Sequence, residues 1–188
     1  MPVTTLDRTS ALIIIDLQQG IAALPSNHSF ADVVRHARRL ADAFRERHLP
    51  VVLVNVAGRA PGRTEQPPRL PDPLPADWAE LLPEIGRQDE DILVTKHSWG
   101  AFTRTGLEDR LRSLGVTQVV IAGIATGVGV ETTARQAYEL GFNVTLAVDA
   151  MTDSRPQAHD HCLTLVFPRL GETGTTEEIV ALLAVREE

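Results

Sequence analysis

Three places in this chain combine residue types that can move a proton or hold developing charge: Asp16, Lys96 and the segment Gly123-Ile124-Ala125-Thr126-Gly127-Val128-Gly129. An acid and a lysine brought together shift one another's pKa and can share a proton. A glycine-rich turn that opens a helix presents backbone N–H groups to negative charge. Lys96 is the single lysine among eighteen basic side chains, the other seventeen being Arg. Arg is a permanently charged fork, whereas Lys is a compact charge whose pKa yields to its surroundings. Plainer readings stand beside these. An Asp after a strand is a common turn former, Arg dominance follows from coding bias, and a glycine turn can cradle a phosphate. The spacing of this one matches neither G-x-G-x-x-G nor the P-loop.

The elements that must position these groups are legible as alternating apolar runs and helical patterns. Ala11-Leu12-Ile13-Ile14-Ile15 reads as a strand buried on both faces. Between Phe30 and His48, Val33, Val34, Ala37, Leu40, Ala41 and Phe44 recur at helical spacing, with arginines on the other side. Val51-Val52-Leu53-Val54 and Asp91-Ile92-Leu93-Val94-Thr95 predict the second and third strands, and Thr105-Gly106-Leu107-Glu108 predicts a capping box before the next helix. Gln118-Val119-Val120-Ile121-Ala122 predicts a fourth strand, followed by the glycine turn and a helix to about Leu140. Asn143 to Val148 predicts a fifth strand, Leu163-Thr164-Leu165-Val166 a weaker sixth, and Thr175-Thr176-Glu177-Glu178 the cap of a last helix. This alternation predicts a three-layer α/β/α fold around a six-stranded, mostly parallel, doubly wound sheet, in one domain over residues 1–188. In such a sheet ligands bind beyond the carboxyl ends of the strands, where Asp16, Lys96 and the glycine turn all fall, the first two at adjacent strand ends. Residues 57–83 carry seven prolines and no periodicity, which predicts a long surface loop beside the site.

Composition narrows the partners. A formal net charge of −7 and a pI near 5.4 argue against a nucleic-acid or anionic-membrane binder. One cysteine, Cys162, can form neither an internal disulfide nor a four-cysteine zinc site, and reads as a small buried residue. No apolar run approaches a membrane span and the opening residues do not read as a signal peptide, so the expected setting is the cytoplasm. His159-Asp160-His161 places two imidazoles on one side of an extended segment, more simply surface histidines than a metal site.

Asp16-Leu17-Gln18, Lys96 with Gly100-Ala101-Phe102, and Gly123-Ile124-Ala125-Thr126 followed by Val130 and Thr133-Ala134 together resemble the isochorismatase-like hydrolases of the cysteine hydrolase superfamily. The resemblance runs in order along nearly the whole chain. It implies a parallel six-stranded sheet, homodimers or larger oligomers, and a small-molecule substrate. In most of that family Asp, Lys and Cys form a triad. Here Asp16 and Lys96 match the first two, and Gly129 stands where the cysteine would be, so acyl-enzyme formation is in doubt. True isochorismatases are similar in carrying glycine there and cleave a vinyl ether without a covalent intermediate. Carried over, Asp16 is the general acid, Lys96 holds charge and orients substrate, Gln18 is a polar contact, and Trp99 and Phe102 wall the pocket. Ala125 and Thr126 lie in the pocket turn, whose small residues look more like the amidase branch. That branch implies a cis Ile124–Ala125 bond, with the Ala125 and Gly129 N–H groups forming an oxyanion hole. Its metal-binding members use histidines in the loop after the second strand, which residues 57–83 lack, so neither metal nor cofactor is expected. Water-driven amide hydrolysis and a catalytically silent binder remain as alternatives.

Overall fold

The structure, a computed structural model, describes residues 2–66 and 71–185; Pro67 and Pro68 of the proline-rich segment lie outside them. Among the described residues, six strands form one all-parallel sheet in the order β3-β2-β1-β4-β5-β6. They are β1 Ser10–Ile15, β2 Val51–Val56, β3 Ile92–Lys96, β4 Gln118–Ile124, β5 Asn143–Thr152 and β6 Glu172–Gly174. The helices are the single turn α1 Gln19–Ala22, then α2 Phe30–Glu46, α3 Leu107–Ser113, α4 Glu131–Glu139, α5 Pro156–His161 and α6 Thr176–Ala184.

The two faces of β1 show how the layers form. Ile13 and Ile15 pack with Leu107, Leu111, Ala134 and Ala137 from α3 and α4, whereas Leu12 and Ile14 pack with α2 and with Ile179 and Leu183 of α6. Period-2 alternation on a strand between two apolar helix faces leaves no solvent side, which is why β1 reads as a continuous apolar run. The sheet order reverses between β1 and β4, and this opens a crevice at their carboxyl ends.

Three local expectations are corrected. Leu163-Thr164-Leu165-Val166 is a helical turn running from Cys162 to Val166, and the sixth strand is Glu172–Gly174. Only Val166 of those four is buried, and a run this short fits a helical turn as well as a strand. Thr105 does not cap α3, whose cap is Gly106 in the left-handed region at φ 71; at α6, by contrast, Thr175 and Glu178 form the full capping box. β5 continues four residues beyond Val148, to Thr152, and carries Asp153 toward the glycine turn.

Candidate active site

β1 ends at Ile15, and Asp16 turns the chain out of the sheet with φ 55, a left-handed conformation that Asp tolerates better than most residues. Its amide still donates to Val54 O at 2.9 Å, so the turn starts while the residue is anchored to β2. Lys96 is the last residue of β3, and β2 lies between it and β1, so the two strand ends are not adjacent. The four-carbon lysine stem spans that gap. Lys96 Nζ donates to Asp16 Oδ2 at 2.7 Å and to Ser98 O at 3.2 Å. Both partners are buried, Lys96 being 2% and Asp16 5% exposed. Burial pushes the Asp16 carboxyl up to about 6, against the opposing pull of Lys96's charge and hydrogen bond. Asp16 Oδ1 is buried with no hydrogen-bond partner. A raised carboxyl with one oxygen unspent is suited to give or take a proton.

The glycine turn closes the other side. Gly123, at φ 114, pairs with Ile15, and a Cβ there would collide with the Ile15 carbonyl oxygen. The Ile124–Ala125 bond is cis. Thr126–Val130 forms a wide helical turn leading into α4. A Cβ built on Gly129 would lie 3.3 Å from Asp16 Oδ2 and 2.9 Å from Ile15 Cγ2, so the turn's backbone comes up to the acid at this residue. Asp153 Oδ2 accepts from Gly127 N at 2.8 Å and its Oδ1 from Arg155 N at 3.0 Å, which fixes the turn to the end of β5.

Residues 10–178 match the isochorismatase domain model. The chain is 42% identical over 178 residues to the isochorismatase family protein YwoC of Bacillus subtilis, covering 91% of this chain and 92% of that one. It is 39% identical over 182 residues to the isochorismatase family protein YecD of Escherichia coli O157:H7, covering 94% and 97%. Its fold superposes on the structure of an isochorismatase family protein from Burkholderia thailandensis with a TM-score of 0.92 at 43% identity, covering 96% and 98% of the two chains. The chain belongs to the isochorismatase family of hydrolases.

Within this isochorismatase-family site, the other residues singled out in the sequence fall in different places. Gln18 is fully buried and both ends of its amide are occupied: Nε2 donates to Val56 O and Trp78 O at 3.1 and 2.7 Å, and Oε1 accepts from Val56 N at 2.7 Å. It is therefore corrected from substrate contact to clamp. It ties the segment around Trp78 to β2, and the Gln19 N–Glu80 O and Leu82 N–Leu17 O bonds join that segment to the residues after β1. Phe102 stacks on Phe142 at 5.9 Å and packs on the α3/α4 core, so it is a core side chain rather than a pocket wall. Trp99 is exposed on the loop after Lys96, and Ala125 is half-buried. Thr126 is fully buried, with Oγ1 2.9 Å from His159 Nδ1.

His159, which the sequence suggests is a surface histidine, is buried. Residues 156–161 are helical, not extended, so His159 and His161 point to different sides and only His159 is buried. Burial and neighbouring His28, 4.7 Å away ring to ring, hold its pKa down. Pro156 as a first-turn residue was the available signal. Cys162 is a small buried residue, as its sequence reading expects, and though distant in sequence its thiol lies 3.7 Å from where a Gly127 Cβ would be. Sγ is 3.2 Å from Glu131 Oε2, and burial with that carboxylate pushes the thiol up to about 12, which leaves it protonated and inert at neutral pH. Among the described residues no group of three or more His, Cys, Asp or Glu side chains is placed to hold a metal ion, and no helix is long and apolar enough to cross a membrane.

Proposed function

We propose that this protein hydrolyses a small vinyl ether of the isochorismate type, with Asp16 as general acid and no covalent enzyme intermediate. The observation that carries this reading is the buried Asp16 carboxyl, raised to about 6 with Oδ1 unpartnered, beside a glycine in place of a nucleophile. Protonated Asp16 delivers its proton to the terminal carbon of the enol ether. The adjacent carbon becomes an oxocarbenium ion, water adds to it, and the water's proton returns to the carboxylate. The hemiketal then expels the alcohol and leaves a keto acid. Lys96, 2.7 Å from Oδ2, stabilises the Asp16 anion while it lacks its proton. The substrate is a free small molecule, and the working form is a homodimer or larger homo-oligomer in the cytoplasm.

The test is pyruvate release from isochorismate by the wild type, Asp16→Asn and Lys96→Ala. The expected result is turnover in the wild type and a loss on the order of 10²–10⁴-fold in Asp16→Asn. Turnover unchanged by that substitution overturns the mechanism.

A second reading is favoured by one observation, the 3.3 Å between a Gly129 Cβ and Asp16 Oδ2. It has Asp16 as a base that activates water for attack on an amide carbonyl polarised by the Ala125 and Gly129 N–H groups. A thiol restored by Gly129→Cys would sit against this base, and should then raise hydrolysis of simple amides by orders of magnitude. A folded variant with no gain counts against it.

A further inference from the structure

Among the described residues, three side-chain polar atoms are buried without a hydrogen-bond partner: Asp16 Oδ1, Asn55 Oδ1 and Ser98 Oγ. An orphaned buried polar atom carries an uncompensated desolvation cost, so it calls for an explanation, and a group that binds there is one. Asn55 is separate from the other two. It pairs with Thr95, one residue out of phase with Val56 and Lys96, so its side chain leaves the opposite face of the sheet, and its Nδ2 holds Ala79 O. Asp16 and Ser98, by contrast, meet on the same ammonium group, since Lys96 Nζ donates to Asp16 Oδ2 and to the Ser98 carbonyl. The chain thus folds back over Lys96 two residues after β3 and brings a hydroxyl inward with nothing in the protein to bond.

Resting on the hydrolytic reading above, we propose that Ser98 Oγ is a substrate-binding group that hydrogen-bonds a hydroxyl or carboxylate oxygen of the substrate while Asp16 addresses the reacting carbon. A hydroxyl both donates and accepts, so it can serve either kind of oxygen. This assigns Ser98 to ground-state binding. Lys96 is held by the backbone carbonyl of Ser98, which substitution of the side chain leaves in place, so Ser98→Ala isolates the hydroxyl.

The experiment compares wild type and Ser98→Ala in steady-state pyruvate release from isochorismate across pH, with thermal melting of the ligand-free proteins. The proposal expects KM to rise about 5–10-fold, the size of one lost neutral hydrogen bond, with kcat within about twofold. The pH midpoint set by Asp16 stays in place, and the melting temperature is unchanged or higher because an unsatisfied buried hydroxyl has gone. An unchanged KM overturns the proposal. So does a lower melting temperature with a fallen kcat and a moved pH midpoint, the pattern of a merely structural serine. The wild-type trace separates the two readings. Turnover in the wild type with no effect of Ser98→Ala removes Ser98 alone. Isochorismate that binds without being cleaved removes the reaction, and Ser98 then stands or falls on whether Ser98→Ala weakens that binding. A wild type that neither binds nor cleaves isochorismate overturns both.

Discussion

Among the described residues, two buried ion pairs differ in how completely their carboxylates are satisfied. Arg45 and Asp91 pin α2 to the start of β3, with side chains 11% and 2% exposed. Every carboxylate oxygen there is engaged: Arg45 Nε and Nη2 reach Oδ1 and Oδ2 at 3.1 and 2.6 Å, and Gln88 N adds a third bond to Oδ2 at 2.8 Å. Lys96 and Asp16 are as deeply buried, at 2% and 8%, yet one carboxylate oxygen is left unpartnered. The cation differs in a matching way. Arg supplies a planar fork that satisfies a carboxylate and keeps its proton, whereas Lys supplies one point charge and leaves room. Burial alone does not mark a functional pair. Incomplete satisfaction separates the two pairs here, because the spare oxygen leaves the desolvation of the Asp16 carboxyl, which raises its pKa, less offset.

The sharpest way to break this comparison is to neutralise each acid in turn. Asp16→Asn should lower turnover by roughly 10²–10⁴-fold while shifting the melting temperature by less than half of what Asp91→Asn does. Asp91→Asn should leave turnover per folded molecule near wild type and cost about 2–3 kcal/mol of stability, read as a melting shift of roughly 5–10 °C. If Asp91→Asn abolishes turnover in folded protein, or Asp16→Asn proves the more destabilising, the contrast between the pairs is wrong.

A smaller, graded effect is expected with pH. Asp16 is raised from 3.8 to about 6, so between those values the folded protein keeps a proton that the unfolded chain has released. Its contribution to stability therefore declines as pH rises through that window and is level above about 6. Activity sharpens the comparison further, because the two chemical readings need opposite protonation states. With Asp16 as acid, kcat/KM is highest below about 6 and falls about tenfold per pH unit above it. With Asp16 as base the profile is inverted, and a pH series from 4.5 to about 8 decides between them. In Asp16→Asn either limb should vanish.

Much of this arrangement was legible in the chain. The run of apolar residues from Ala11 to Ile15 announces a strand buried on both faces, and residues directly after such strands mark the sheet edge where ligands bind. Asp16, Lys96 and the glycine turn are placed at that edge in this way because their signal is local: a polar residue or a glycine at the end of an apolar run. Gln18 and Phe102 were misplaced for the opposite reason. Whether a side chain near a site faces the substrate or holds the scaffold depends on partners far away in sequence, Val56 and Trp78 for Gln18, Phe142 for Phe102. His159 was obscured by a wrong period, since the helical turn of residues 156–161 reads as an extended segment in the sequence.

What the amino-acid sequence determined by itself, then, is the layered fold, the sheet edge that carries the candidate site and the residue types brought there. Those follow from periodicity and turn chemistry, which act over a few residues. Only the tertiary structure decided the protonation bias of Asp16 and which polar atoms are spent or spare. Lys96 lies eighty residues from Asp16 and two strands away, and the balance between its charge and the cost of burial exists only once both have left water.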